Sequence, residues 1–373
     1  MKNRLSKAQA VFIGVTLNAK LGFHAQIAKG MARFRATRPH WTFIETHPAQ
    51  LDQVSFPLQG MIGHFIDPVS DPAAFAQKNI RHTVSITNHQ PGPFPWSQVI
   101  NDDWAIGRMA AEYFHRRRFL NFAVWGLARL HFSEERIAGF QEGLRLKGIE
   151  DLKRYDQKDR RRAGTLREHL PLALFAVSDL TAKSLMSHLQ QEGLRIPHDV
   201  ALLGVDNDPH VELYTPLPLS SVEPDGDRIG FEACELLERK LHTGDNQPEC
   251  IRIPPLGIRE RFSTATEAVD DPNVRRIQAY LMDHLADIRD MDQVARALHM
   301  HRRSLDRRFT AAVGMTPSDW LARRRIDRAE QLLQESDDTI DLIAERVGLQ
   351  SRRRLNMTFQ KFARPRPSLQ RNP

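Results

Sequence analysis

The chain has 373 residues and is 41% hydrophobic, so it is long and apolar enough for two or three domains and is not mainly disordered. Its two cysteines, Cys234 and Cys250, exclude a disulfide framework and a four-cysteine zinc site, and no segment approaches the ~18 apolar residues of a membrane span. We therefore expect a reduced, cytoplasmic protein with no cofactor, no metal and no contact with a membrane.

The net charge of +7 lies in the C-terminal part of the chain. Residues 274–373 carry 20 Lys and Arg against 13 Asp and Glu, and 19 of those 20 cations are Arg. The planar guanidinium suits phosphate and guanine edges better than the point charge of Lys. The balance indicates a nucleic-acid-binding tail, although a solvated basic face would give the same composition.

The first 260 residues alternate apolar, β-rich runs with amphipathic stretches. Near-continuous apolar strands that alternate with helices are typical of a parallel sheet covered on both faces. We predict an α/β body with two similar lobes, because the chain changes character at 100–107 and again at 220–227. The predicted strands begin at Ala10, Trp41, Gly60, His82, Gln98, Asn121, Leu172 and Asp199, and the predicted helices cover 25–35, 104–117, 134–146, 180–192 and 228–241.

Three of these strands end in polar residues, namely Asp102, the pair Ser178 and Asp179, and Asp206. Ligands of open α/β sheets bind beyond the carboxyl ends of the strands, so we expect these side chains to converge on one crevice. Paired acceptors suit a neutral polyol, and no phosphate-binding GxxxxGK[ST] or GxGxxG run follows a strand. A lone Asp after a strand can also be a helix N-cap, which we favour for Asp179 but not for Asp206.

The crevice carries no recognisable catalytic motif. The sequence contains no GxSxG elbow, no HExxH and no cysteine in a nucleophile setting. Paired carboxylates can perform glycosidase chemistry, but nothing in the sequence fixes their separation. We therefore expect binding without catalysis, with a carbohydrate-processing enzyme as the alternative.

The body resembles the LacI family of sugar-responsive repressors, which is related to periplasmic sugar-binding proteins. The segments NDDWAIGRMAAEYFHRRRFLNFAVWG, SEERIAGFQEGLRLKGI, FAVSDLTAKSLMSHLQQEGLRIPHDVALLGVDND and PLSSVEPDGDRIGFEACELLERK carry the resemblance. It implies a periplasmic-binding-protein-like, sugar-binding domain over residues 8–262 with an effector pocket between two lobes. The matching pocket positions are Asp102, Arg136, Ser178, Asp179 and Asp206. Ser178 departs from the family, which usually has Asn or Thr there, and the stretch 151–171 is shorter and more basic.

The tail contains an internal repeat with a period of fifty residues. Leu305, Phe309, Pro317 and Ser318 recur as Leu355, Phe359, Pro367 and Ser368. A short amphipathic helix precedes each copy, so each reads as a helix-turn-helix unit. The polar segment 263–273 predicts a linker between the body and the all-α tail at 274–373.

Placing Leu305 and Phe309 in the core turns Arg303 and Arg307 outward at 100° per residue, and the second copy turns Arg353 outward. Arg can read guanine, and Asn or Gln can read adenine, whereas other Arg side chains suit phosphates. The predicted DNA contacts are Arg302, Arg303, Ser304, Arg307, Arg308, Arg324, Arg352, Arg353, Arg354, Asn356 and Gln360. The alternative to DNA binding is that the tail is only two packed helical hairpins with ordinary charged exteriors.

The tail resembles the DNA-binding domain of the AraC family. The match is close on DQVARALHMHRRSLDRRFTAAVGMTPSDWLARRRIDRAEQLLQESDDTIDLIAERVGL and looser on QSRRRLNMTFQKFARPRPSLQR. In the second copy Leu349 and Leu355 stand where Phe is usual, and Arg364 stands where the family has the glycine that ends the recognition helix. This departure would weaken DNA reading or order in the second unit.

Together the two resemblances imply a sequence-specific transcription regulator, more an activator than a repressor. A monosaccharide such as xylose would control it from the cleft between the lobes. The implied partners are double-stranded DNA, a second copy in a homodimer and RNA polymerase. A non-specific nucleic-acid binder is the other alternative, and it predicts equal affinity for all duplexes with a steep salt dependence.

Overall fold

The computed structural model describes residues 10–18, 22–55, 57–65, 75, 80–90, 92, 94–156, 165–265, 269, 271–336, 338–364 and 367. The strands in these residues are β1 (Val11–Thr16), β2 (Trp41–Glu45), β3 (Gly60–Gly63), β4 (His82–Ser85), β5 (Ser97–Asn101), β6 (Asn121–Trp125), β7 (Leu152–Tyr155), β8 (Leu172–Ala176), β9 (Val200–Val205), β10 (Ser220–Glu223), β11 (Cys250–Ile253) and β12 (Gly257–Arg259). The helices are α1 (Gly22–Thr37), α2 (Asp103–Arg116), α3 (His131–Arg145), α4 (Asp179–Gln191), α5 (Pro209–Glu212), α6 (Gly226–Thr243), α7 (Pro272–Asp283), α8 (Met291–Ala297), α9 (Arg302–Val313), α10 (Pro317–Glu335), α11 (Ile340–Arg346) and α12 (Arg352–Lys361). No described helix has the length and apolar character needed to cross a membrane.

The body consists of two lobes, each built on a six-stranded sheet. The sheet of lobe 1 has the order β11-β5-β4-β3-β1-β2 and is parallel throughout. The sheet of lobe 2 has the order β12-β10-β9-β8-β6-β7, and only its edge strand β12 is antiparallel. The predicted two-lobed α/β architecture is therefore confirmed.

Burial on both faces explains why the central strands could be read from their apolar runs. Every residue of β8 and β9 is buried, because helices cover both sides of the lobe 2 sheet. Phe114, Phe122, Phe140 and Phe175 fill one side of that sheet and are at most 1% exposed. All eight strands and all five helices predicted for the body are present.

The chain passes between the lobes three times, from β5 to α2, from β10 to α6 and from β11 to β12. The first two crossings lie at 100–107 and 220–227, where the sequence predicted a change. The second segment was interpreted as a loop, but its first half is strand β10, which pairs with β9 and β12. Helix α6 packs against α1 and returns to lobe 1. The crossings place the carboxyl ends of both parallel sheets on either side of one cleft.

Residues 271–364 form an all-α domain with two repeated units. Helices α8 and α9 surround a core that includes Leu305 and Phe309, and α11 and α12 surround one that includes Leu355 and Phe359. Helix α10 joins the units and contributes Trp320 and Leu321 to the first core and Ile326, Ala329, Leu332 and Leu333 to the second.

The boundary between body and tail differs from the prediction. Ser263 and Thr264, which the sequence placed in the linker, are fully buried in lobe 2 because their hydroxyls bond to Leu202 and Ser220. Helix α7 begins at Pro272, with Asp271 as its N-cap. The predicted start of the body at residue 8 lies outside the described residues.

Candidate functional site

Arg136 on α3 lies at the centre of the cleft side of lobe 2, and its side chain is only 4% exposed. Its Nε donates to Asp103 Oδ1 at 2.7 Å, and its Nη1 donates to the carbonyl oxygen of Val177 at 2.5 Å. Nη1 also lies 3.7 Å from Asp206 Oδ1, and the guanidinium stands 5.0 Å from the centre of the Phe132 ring. The buried cation thus ties α2, α3 and the ends of β8 and β9 together.

Asp206, directly after β9, is a predicted site residue whose carboxylate stays partly accessible. Its side chain is 26% exposed and touches Arg136, while its backbone N–H donates to Val222. Burial, opposed by Arg136, raises the pKa of this carboxyl to about 7. Asp208 is the N-cap of the short helix α5 and also accepts a hydrogen bond from the Gly22 N–H of lobe 1 at 2.9 Å.

Asp179 does not have the open position that a ligand contact needs. Its carboxylate is 3% exposed, accepts from Ser221 Oγ at 2.7 Å and from the Asp208 N–H at 2.9 Å, and so stabilises the interior of lobe 2. Burial and the nearby Asp206 carboxylate raise the pKa of Asp179 well above its usual value. The expected N-cap role belongs to Ser178, whose hydroxyl accepts from the Thr181 N–H.

Asp102 also serves a local purpose. It is the N-cap of α2 and accepts from the Ala105 N–H at 2.9 Å. The neighbouring Asp103, which was not predicted from the sequence, is the residue that pairs with Arg136. The predicted set is therefore brought to one place, but only Arg136 and Asp206 combine mutual contact with a position at the cleft.

Three histidines that were not predicted from the sequence line the opposite side of the cleft. His24, His64 and His89 form a row in which neighbouring ring centres are 4.8 Å apart, and His89 lies 5.3 Å from Phe132 of lobe 2. Burial lowers the pKa of His24 to about 4 and that of His64 to about 3, so this histidine row is neutral. No group of three potential ligands in the described residues is arranged to hold a metal ion.

Polar contacts join the two lobes beside the histidine row. Asn88 of lobe 1 donates to Asp103 at 2.8 Å and to Glu135 at 2.6 Å. Arg252 on β11 forms a two-pronged pair with the same Glu135 at 2.8 and 2.9 Å. The backbone N–H of Phe132 donates to the Asn88 carbonyl at 2.8 Å. The lobes are thus in contact, with the histidine row on one side and Arg136 with Asp206 on the other.

Helix α9 of the first unit presents two unpaired arginines to solvent. Arg303 and Arg307 are exposed, and neither has an acidic partner within salt-bridge distance among the described residues. Arg302 pairs with Asp306 at 2.8 Å, and Arg308 pairs with the α7 cap Asp271 at 3.1 Å. Ser304 is half-buried on the same helix.

Helix α12 of the second unit is similarly cationic. Arg352, Arg353 and Arg354 occupy its first turn and are exposed, and Arg354 donates to the side chain of Gln350. Gln360 is exposed, Asn356 is half-buried, and Met357 is 59% exposed. Both units therefore carry hydrogen-bonding side chains on the outer face of the second helix.

Arg324 does not lie where a phosphate contact was expected. It is 8% exposed, because its guanidinium lies 5.2 Å from the centre of the Trp320 ring and pairs with Asp327 at 3.0 Å. Its neighbour Arg325 donates to the carbonyls of Leu285 and Ile288. Both side chains support α10 rather than a DNA-facing surface.

Comparisons with known proteins agree with this architecture. A periplasmic binding protein-like domain model matches residues 111–264, and a helix-turn-helix domain model matches residues 294–372. The xylose operon regulatory protein of Haemophilus influenzae is 25% identical, covering 94% of this chain and 95% of its own; the protein of that name from Escherichia coli K12 is 24% identical, covering 94% of each. A solved structure described as the xylose-binding transcription activator xylR has a TM-score of 0.78 at 22% identity and covers 97% of this chain and 98% of its own.

The similarity runs through both the body and the tail, in the same order and over nearly the full length of the relatives. These relatives are transcription regulators, so the enzyme alternative is set aside. The chain is therefore a DNA-binding transcription regulator and not an enzyme: it joins a periplasmic binding protein-like domain to a helix-turn-helix domain and is similar over nearly its full length to the xylose operon regulatory proteins.

Proposed function

We propose that this regulator responds to a monosaccharide that binds in the cleft between the lobes, in contact with Asp206 and Arg136. The observation that carries the proposal is the 3.7 Å approach of Asp206 to the buried Arg136, whose guanidinium contacts the same Phe132 ring as His89 of the histidine row. A sugar hydroxyl is both donor and acceptor, so one hydroxyl can donate to the carboxylate while another accepts from the guanidinium. Neutral histidines offer one donor and one acceptor each and therefore suit the same ligand.

Xylose is the first monosaccharide to test. The relatives that align over the full length are named as xylose operon regulators, and the similar solved structure is described as xylose-binding. No GxxxxGK[ST] or GxGxxG run follows a strand in the sequence, and acidic side chains lie beside Arg136, which favours an unphosphorylated sugar. The protein in that structure is also described as an activator, which supports activation. A homodimer as the acting form and RNA polymerase as a partner are part of the proposal and are not described for that structure.

The test of the effector is a thermal-shift titration of the full chain with xylose, ribose and glucose. A ligand that binds only the native state stabilises it by about 2.7 kcal/mol at one hundred times its Kd, so xylose should raise the Tm in a saturable manner. Asp206→Asn should weaken the response at least tenfold, because the amide cannot replace a charged acceptor. Asp151→Asn, at a carboxylate that is 78% exposed, is the matched control and should respond normally. A wild-type Tm that no monosaccharide moves would remove the proposal.

The pH dependence of stability gives a second test of the same carboxyl. The folded-state pKa of Asp206 is about 7, above the unfolded value of about 4, so the native state retains this proton more firmly. The contribution of Asp206 to stability is therefore fully present below pH 4 and is lost as the pH rises towards 7. As the pH rises from 4.5 to 7.5, wild type should lose this contribution and the Asp206→Asn variant should not. The free energy of unfolding of the variant, measured by urea denaturation, should therefore increase relative to that of wild type. A difference that does not change with pH would contradict this assignment.

The histidine row should act with the opposite sign. Because the folded-state pKa values of His24 and His64 lie below the unfolded value of about 6.5, the unfolded chain gains protons first as the pH falls. The stability that they contribute is lost as the pH falls from about 6.5 to about 4 for His24 and to about 3 for His64. His64→Gln should reduce this loss of stability in acid, whereas substitution of His242, an exposed histidine in the last turn of α6, should leave it unchanged.

A further inference from the structure

Arg261 connects the loop that carries Asp206 to the end of the body. Its Nη2 donates to Asn207 Oδ1 at 2.8 Å, its Nη1 donates to the Leu219 carbonyl at 3.0 Å, and its Nε pairs with Glu212 at 2.9 Å. The side chain is 17% exposed. Asn207 directly follows Asp206, the proposed sugar contact, and we call these two residues the effector loop. The hydrogen bond between Arg261 and Asn207 joins the effector loop to the last segment of lobe 2.

The segment that begins with Arg261 is held firmly on its lobe 2 side. The Arg261 N–H donates to Ser220 Oγ at 2.7 Å, and Ser263 Oγ donates to the Leu202 carbonyl at 2.6 Å. The hydroxyl of Thr264 lies 2.6 Å from Tyr113 Oη. Both neighbours of Phe262 are therefore anchored to lobe 2, so the position of Phe262 follows that of this lobe.

Phe262, between these anchored residues, faces the other way. Its ring packs against the apolar core of the first helix-turn-helix unit, which contains Val274, Ile277 and Met282. Much of the space around this contact, between lobe 2 and the DNA-binding domain, is a cavity of about 600 Å³. Its lining is mainly charged and includes Arg117, Glu260, Asp283, Asp327, Arg328 and Glu330. Phe262 is thus an apolar contact beside a hydrophilic gap.

The effector loop has a backbone conformation that can change. Asp206 and Asn207 have φ values of 112° and 47°, in the left-handed half of the map that L-residues rarely occupy. Such a conformation persists only where the surrounding contacts hold it, and here those contacts include Arg136, Ser221 and Arg261. A sugar that changes the contacts of Asp206 therefore also acts on the Asn207–Arg261 bond.

We propose that Arg261 and Phe262 couple sugar binding at Asp206 to the position of the first helix-turn-helix unit. Arg261 receives the change from Asn207, and Phe262 passes it to the core that supports α9. This coupling within one chain rests on the proposed effector function. A ligand shifts a conformational equilibrium only by its differential affinity for the two states, and these two residues are where that difference reaches the DNA-binding domain.

The experiment measures DNA affinity by fluorescence anisotropy with and without saturating xylose, on a duplex selected for binding by the wild-type protein. We expect xylose to change the wild-type Kd for DNA by about 5- to 150-fold, the usual range of allosteric coupling. Arg261→Ala should reduce this ratio to less than about twofold. It should leave xylose binding, followed by the thermal shift, and the sugar-free Kd for DNA within about threefold of wild type, because Arg261 touches neither ligand.

Three further variants distinguish a specific loss of coupling from a general effect of substitution on the folded protein. Asn207→Gly tolerates the positive φ and removes the amide that accepts from Arg261, together with its 3.2 Å bond to Glu223, so it should lose coupling as Arg261→Ala does. Phe262→Leu, which keeps most of the apolar contact, should retain part of it. Arg239→Ala, at an arginine paired with Glu249 in lobe 1, is the matched control and should keep the full ratio.

The outcomes distinguish this inference from the function on which it rests. Normal xylose binding with an unchanged ratio in both Arg261→Ala and Asn207→Gly would overturn the inference alone. The absence of any sugar response in the wild-type protein would remove the effector function and the inference together. Loss of the ratio in Arg239→Ala as well would also contradict a specific role for Arg261.

Discussion

The two helix-turn-helix units share a repeat but differ in what surrounds their cores. The first core contains the aromatic pair Phe309 and Trp320, whose ring centres are 5.8 Å apart, and it extends to Phe262 and Val269 outside the repeat. The second core is mainly aliphatic around Phe359. The first unit is therefore packed against the body, whereas the second packs on α10, on its own two helices and on Leu285, which follows α7.

The recognition helices of the two units, α9 and α12, also end differently, and again the second unit has the less favourable arrangement. Helix α9 ends on Gly314, whose φ of 79° suits a residue without a Cβ. Helix α12 is followed by Ala363, whose φ is 54°, and the Arg364 N–H then donates to the Phe359 carbonyl. The residue that takes the left-handed position is thus Ala363, and not Arg364, which stands where the family has its glycine. The comparison teaches that a repeat can keep its helices while losing part of the stability of one copy.

Truncation of the core aromatic residues should give the largest contrast. Replacement of a buried Phe by Ala costs about 3–5 kcal/mol, and both Phe309 and Phe359 are fully buried. Phe309→Ala should lie at the upper end because it also removes the contact with Trp320. Hydrogen exchange should show Phe359→Ala opening α11 and α12 while α8 and α9 stay protected. Equal opening of both units in the two variants would break the comparison.

The loss of an outward arginine should give an intermediate effect. Arg303→Ala should cost about 1–3 kcal/mol of DNA-binding free energy and relax the preference for one base pair. Arg353→Ala should cost less, because the second unit holds its recognition helix less firmly. Competition binding with single-base operator variants measures both effects, and Arg276→Ala, at an exposed arginine on α7, serves as the control. A larger loss for Arg353→Ala would reverse the assigned order of the units.

Exchange of the residues that end the recognition helices should give the smallest effect. Ala363→Gly should raise the stability of the second unit by about 1 kcal/mol, because glycine adopts the left-handed conformation without steric cost. Gly314→Ala should lower the stability of the first unit by a similar amount, since a Cβ there meets no atom within 4 Å and the cost is conformational alone. Urea denaturation of the full chain would show opposite signs for the two changes, and equal signs would refute this explanation.

The parts of the fold that sequence reasoning missed are edges and polar segments. Strand β7 has the sequence LKRY and is largely accessible, and β11 and β12 also lie at sheet edges with few buried residues. One-sided burial removes the continuous apolar run on which the prediction depends. Strand β10 is buried but begins with Ser220 and Ser221, whose hydroxyls find partners only in the folded lobe.

The candidate site was predicted in part for a related reason. Asp206 could be recognised because Asp208 and Pro209 mark the turn that follows it, which leaves its carboxylate free. Nothing in the sequence shows that Ser221 would donate a hydrogen bond to Asp179. The histidine row comes from three separate segments, so no spacing reveals it. The only signal was that His64 and His89 each follow a strand end. The predicted phosphate contact of Arg324 overlooked its i, i+4 spacing from Trp320, which puts both side chains on one face of α10.

Helix α10 also limits the sites that the regulator can use. This continuous helix of 19 residues is about 28 Å long, and its two ends pack into different cores. It therefore fixes the distance between the recognition helices α9 and α12. One base pair inserted between the two half-sites would turn one of them by about 34° around the duplex axis. The spacing of the operator should therefore be selected as strictly as its bases.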